Sequence, residues 1–236
     1  MTRYAHTAWQ TAGCARAIYP SSARASRQIR SIASAAGSAR ASAADWPGWC
    51  RSGKEEHAAL ASLAAYAARY APVAKLAKVP FPSEAPIFKV IERLKGNATT
   101  DFGAPGIPAK AEADALTTAE TKRMCDLVEA CWSYLDKVVA KAPASLRKGP
   151  RGGGRDRDAM FDHVLGAEVE YAKAIGTRLK QPDGRDRASV RAFRKAILES
   201  LGSPNRQEKW PVPYAARRIA WHTLDHAWEI EDRSTA

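Results

Sequence analysis

Residues 117–138 read TTAETKRMCDLVEACWSYLDKV, and this stretch decides the fold class. Thr117 followed three residues later by Glu120 is a capping box, in which a hydroxyl and a carboxylate each take up a backbone N–H that the first helical turn leaves without a partner. Beyond it Met124, Leu127, Cys131, Leu135 and Val138 recur at intervals of three and four, the single apolar stripe of an amphipathic helix. The same period continues toward the C-terminus. A second helix is expected from about Asp158 to Leu179, carrying Phe161, Val164, Ala167, Tyr171, Ala174 and Ile175. A third is expected from about Arg187 to Leu201 and is stopped by Gly202-Ser203-Pro204. A fourth begins near Pro213, a residue suited to a first turn, and runs to about Asp232. Four such helices predict a mainly α fold with a four-helix bundle at 115–233.

On the N-terminal side the composition changes twice. Residues 45–110 read as a small α+β module. It opens with the turn Asp45-Trp46-Pro47-Gly48-Trp49, continues as an Ala-rich helix from Lys54 to Tyr70, and adds a short strand at Phe88 to Leu94. Gly96-Asn97 and Gly103 to Pro108 read as loop. Residues 1–44 are rich in Ala and Ser and hold six arginines (Arg3, Arg16, Arg24, Arg27, Arg30, Arg40) with no Asp, Glu or Lys. A targeting segment shares that composition, but the reading adopted is a disordered basic tail or an upstream start.

The whole chain has 236 residues, 45% of them apolar and 26% charged, which excludes collagen-like, fully disordered and disulfide-scaffold classes. No segment reaches the roughly 18 apolar residues of a membrane span, so no membrane partner is expected, and a cytoplasmic protein is. The net charge is +12, and half of that excess lies in residues 1–44. A nucleic-acid partner is therefore not expected from the body of the chain, where no recognition cluster of Arg, Lys and Asn stands out. Cys14, Cys50, Cys125 and Cys131 form no CxxC pair and read as reduced, small apolar residues.

Five histidines occur. His6 lies in the tail and His57 sits among alanines, whereas His163 falls on the second bundle helix and His222 and His226 on the fourth. Residues four apart share one helix face, so two imidazoles can meet one cation while a third arrives from a facing helix. Hydrogen-bonded core histidines are the plain alternative.

The segments His163-Val164-Leu165-Gly166-Ala167-Glu168 and Ala220-Trp221-His222-Thr223-Leu224-Asp225-His226-Ala227-Trp228-Glu229-Ile230 resemble the DinB-like (YfiT/thiol-transferase) superfamily of four-helix metalloproteins, over about 117–232. The resemblance implies a divalent metal, Zn or Ni, on His163, His222 and His226. It further implies a transferase or hydrolase chemistry in which a low-molecular-weight thiol or water is activated toward a small-molecule substrate, in a chain that can form a homodimer. Two features depart from the family pattern: the interval from His163 to His222 is short, and the N-terminal hundred residues are extra. Residues 45–72 also resemble HicB-type strand-helix modules, which implies either an RNA- or partner-binding appendage or a buttress packed on the larger domain.

Asp225 and Glu229 follow His222 by three and seven residues and are candidates for a catalytic base, a fourth ligand or an imidazole partner. Pairing with Arg217, Arg218 or Arg233 on a solvated face is the alternative. Glu168 points away from His163 and is expected to bridge to another helix. Trp221 and Trp228 read as core, or as a pocket wall. The loop Leu146 to Arg157 gathers glycines and cations, and Arg147, Lys148, Arg151 and Arg155 are candidates for binding the anionic groups of a cofactor or acidic substrate. A solvated hinge is the alternative. Binding of nucleic acid or a partner through the basic tail and N-terminal module stands as the rival to the enzyme.

Overall fold

The computed structural model describes residues 28–35, 38–82, 84–101, 104–149, 153–203 and 209–234. They form a mostly helical protein with a four-stranded sheet. The strands are β1 (Gln28–Ala35), β2 (Ala39–Ala43), β3 (Cys50–Gly53) and β4 (Ile87–Lys95), in the spatial order β3-β2-β1-β4. Helices α1 (Glu56–Ala65) and α2 (Ala67–Ala77) separate β3 from β4 and supply the crossover that the parallel β1–β4 pair requires. A short helix α3 (Ala98–Asp101) and a 3₁₀ turn (Lys110–Glu112) lead to the long helices α4 (Thr118–Lys141), α5 (Arg157–Ala174), α6 (Arg187–Gly202) and α7 (Val212–Ser234). No helix among the described residues is long and apolar enough to cross a membrane.

Several expectations change. The sheet starts at Gln28, so residues 28–35 and 39–43 are paired strands instead of a disordered tail, and residues 1–27 lie outside the described residues. The strand signal is weak in sequence because the buried positions are mainly alanines: Ala33, Ala39, Ala41 and Ala43 are small enough to let a helix lie close, and only Ile29 and Ile32 carry large apolar groups. The Lys54–Tyr70 helix is two helices that part at Tyr66 and continue to Ala77. Between the segments expected as loop, Gly96-Asn97 and Gly103 to Pro108, lies α3, to which the sequence reading assigned no element. The second bundle helix stops at Ala174 and not at Leu179, because Gly176 takes φ 80°, a left-handed conformation that favours glycine.

Other expectations hold in detail. Thr117 caps α4 as a capping box: its N–H donates to Glu120 Oε2 at 2.8 Å, and the Glu120 N–H donates to Thr117 Oγ1 at 3.2 Å. Met124, Leu127, Cys131, Leu135 and Val138 are all buried. Helix α7 is buried around almost its whole circumference from Pro213 to Thr223, which marks it as the central helix. It packs on α4, α5 and α6.

The core runs without interruption from Trp49 and Tyr70 through Leu127 and Leu135 to Trp228, crossing the expected boundary between residues 45–110 and 115–233. The Trp46-Pro47-Gly48-Trp49 turn joins β2 to β3 and presses against α7. Gly48 has φ 91°, and a Cβ there would lie 2.7 Å from Leu224 Cδ1. Trp49 donates its indole N–H to Leu63 O at 2.8 Å, and the Tyr70 hydroxyl donates to Pro47 O at 2.8 Å. The sheet is thereby fixed against α7.

A second tie is a buried ion pair. Arg217 donates from Nε and Nη2 to the two Glu112 oxygens at 2.6 and 2.7 Å, and from Nη2 to Ile107 O at 3.0 Å. Both side chains are 4% exposed. Glu112→Ala leaves a buried guanidinium without its counter-charge and is expected to lower the unfolding free energy by about 3–5 kcal/mol, whereas Glu112→Leu/Arg217→Met removes both charges and loses far less. Urea unfolding followed by tryptophan fluorescence measures both; equal losses would show that the pair is not energetically coupled.

Candidate metal centre

Helix α7 places His222 and His226 on one face, one turn apart, and α5 brings His163 opposite them. The Nε2 atoms of His222 and His226 stand 3.2 Å apart. One ring nitrogen from each of the three residues lies within 4.8 Å of the others, so the three histidines are close enough to hold a metal ion. The ring centroids are 4.6 to 5.0 Å apart in edge-on arrangements.

The hydrogen bonds orient these rings. His226 Nδ1–H donates to Glu229 Oε2 at 3.0 Å, which leaves the His226 Nε2 lone pair directed at His222. Glu229 in turn accepts from Arg233 at 2.8 Å. Burial, reinforced by the charges of His226, His163, Arg218 and Arg155, pushes the His222 imidazole down to about 2. Burial, His226 and Arg155 likewise lower His163. The hydrogen bond from His226 holds Glu229 below the usual carboxylate range. His222 and His163 are therefore neutral at pH 7, with lone pairs available to a cation; without one, the Nε2–H tautomer of His222 can donate to His226 Nε2 across the 3.2 Å gap. The donor set fits a divalent metal.

A cavity of about 320 Å³ opens at the histidines, lined by His163, His222, His226, Asp225 and Trp221 of the long helices and by Arg40, Arg51 and Ser52 of the sheet. Arg40 and Ser52 are cross-strand neighbours on one sheet face, and Arg51 projects from the other, so the cavity sits at the β3 edge. Asp225 pairs with Arg51 at 2.6 Å, not with Arg217, Arg218 or Arg233. The Arg51 guanidinium also lies over the rings of Tyr66 and Trp228, 4.3 and 4.7 Å from their centroids. Of the two carboxylates weighed from the sequence, Glu229 is thus the imidazole partner and Asp225 is the one that lines the cavity.

The remaining expected positions separate. Glu168 is buried and accepts from Trp132 Nε1 of α4 at 2.6 Å, with Arg194 of α6 3.7 Å away, so it does bridge to other helices. Trp228 is core, whereas Trp221 forms a cavity wall. In the glycine-rich loop, Arg147 and Lys148 serve internal ties: Arg147 donates to Asp232 O at 2.9 Å and Lys148 pairs with Asp156 at 2.8 Å. Arg151 lies outside the described residues. Arg155 is exposed, and its charge reaches the histidines. His57 is exposed on α1, and Cys50 and Cys131 are buried free thiols. Arg40 and Arg51 were missed because one lay in the presumed tail, and no residue pattern marks either as facing α7.

No family model, curated protein or solved structure matches this chain.

The depressed His222 pKa has a defined consequence for stability. The unfolded chain binds a proton at His222 near pH 6.5, while the metal-free folded chain does not until about pH 2, so this contribution is full above pH 6.5 and is lost as pH falls. The thermal midpoint of chelator-treated protein is expected to drop from pH 7.5 to 5, with a shallower slope in His222→Gln; superimposable slopes would contradict the burial of a neutral imidazole.

Proposed function

We propose that this chain is a DinB-like metal-dependent enzyme, in which α4 to α7 act as a four-helix bundle and His163, His222 and His226 hold one divalent ion, Zn or Ni. The observation that carries this reading is the 3.2 Å approach of the His222 and His226 Nε2 atoms, with His163 completing a set inside 4.8 Å. Three neutral ligands leave a cation its full charge and open coordination positions, the pattern of a catalytic site and not of a closed structural one. When bound there, such an ion lowers the pKa of a coordinated thiol or water so that a nucleophile exists at neutral pH.

The chain's own residues supply the rest. Glu229 fixes the tautomer and the orientation of His226, and Arg233 fixes Glu229. Asp225 is the carboxylate in the cavity, held at one oxygen by Arg51, and is placed to take the proton released by a thiol or water. Trp221 walls the cavity. A cavity of about 320 Å³ admits a small molecule and excludes a polymer.

Untagged wild-type protein, purified without chelator and dialysed, is expected to carry about one equivalent of a first-row divalent metal. His222→Ala/His226→Ala should carry less than about a tenth of that. Elemental analysis by mass spectrometry decides it, and equal metal content in the two proteins would overturn the reading.

A further inference from the structure

The cavity beside the histidines has a surplus of hydrogen-bond donors. Arg40 lines it and is only 8% exposed, and among the described residues no carboxylate pairs with it. Its printed hydrogen bond is a long one, from Nε to Thr100 O at 3.4 Å. Arg218, also 8% exposed, lies one turn before His222 and outside the lining, hydrogen-bonded to Tyr171, with its Nε and Nη1 unpartnered among the described residues. The same holds for Trp221 Nε1, in the cavity wall. Both guanidiniums stand at the Trp221 ring, 6.0 Å from its centroid for Arg40 and 5.4 Å for Arg218. The single acid in the lining, Asp225, is committed to Arg51.

A mostly buried arginine without a carboxylate partner and an indole N–H without an acceptor, both in the lining, shape this concave site for an anion. Guanidinium groups match the two oxygens of a carboxylate in a planar fork. The cavity volume of about 320 Å³ suits a small molecule carrying that group.

We propose that the cavity recognises a small organic carboxylate, its anionic group held by Arg40 with Arg51 beside it, so that the N-terminal sheet supplies the substrate-selecting half of a site whose other half is the histidine cluster. This specifies the substrate class for the metal-site reading above and rests on it for the chemistry, but not for the recognition. The arginines hold the ligand with or without a metal, and a divalent ion strengthens the attraction.

Full-length protein, metal-free or loaded with one equivalent of Co²⁺, is titrated calorimetrically with succinate, its neutral analogue succinamide, and inorganic phosphate. Succinate is expected to saturate both forms, with a dissociation constant on the order of 1 mM in the metal-free chain, and succinamide to bind at least roughly tenfold more weakly. Arg40→Gln should weaken succinate by roughly tenfold or more, with Arg40→Lys retaining part of the affinity. Ser52→Glu, at an exposed position of the lining, sets a competing carboxylate opposite Arg40 and should abolish succinate binding in a folded protein; it decides the matter if Arg40→Gln does not fold. His222→Ala/His226→Ala should lose Co²⁺ uptake. Co²⁺ uptake unaffected by that double substitution would sink the metal reading alone. Equal affinity for succinate and succinamide, tighter binding of phosphate than of succinate, no saturable succinate binding, or Arg40→Gln and Ser52→Glu both indifferent would overturn the carboxylate assignment.

Discussion

The His222 and His226 imidazoles, held edge-on with their Nε2 atoms 3.2 Å apart, form the contact on which the candidate metal centre depends. The arrangement admits one hydrogen bond, from the ring N–H of one imidazole to the ring nitrogen of the other, and the surroundings hold it in place. Helix α7 is buried along most of its length and fixes the His222 backbone, Glu229 locks the His226 ring from outside, and α5 closes the third side with His163. Three ring nitrogens within 4.8 Å of one another, with one ring oriented by a carboxylate outside the cluster, suit one metal ion.

The sheet is bound to the same helix. The Gly48 turn touches Leu224, Arg51 reaches Asp225, and Arg217 is gripped by Glu112 from the segment that follows β4. Two stretches, residues 46–53 and 107–112, thus anchor on one helix, and β2 and β3 deliver Arg40 and Arg51 to the mouth of the histidine cavity. The buttress on α7 and one wall of the histidine cavity are in this case the same structure. A basic stretch that looks from composition like a candidate for nucleic acid contributes at Arg40 to a buried face and not to an open surface.

The long helices were legible because each carries a strong local signal: a capping box at Thr117, a stripe from Met124 to Val138, a proline at 213 in the first turn of α7. The histidine set was legible for a related reason, because four-residue spacing on a helix guarantees a shared face. The first two strands were not. Alternating Ala, Ser and Arg bury little apolar surface, and such residues become a strand only when a helix packs close on alanines. The partner of Asp225 was likewise out of reach, since Arg51 lies 174 residues away and on another element. Glu229 could be found as a neighbour of His226, yet only the structure separates its role from that of Asp225.

The most direct measurement of a shared centre is X-ray absorption at the metal edge of Co²⁺- or Zn²⁺-loaded full-length protein. Three imidazole nitrogens at about 2.0–2.1 Å, with the outer-shell scattering of histidine rings and one or two lighter oxygen ligands, are predicted. A shell of oxygen alone, or sulfur at about 2.3 Å from a cysteine thiolate, would contradict the convergence of His163, His222 and His226 on one ion.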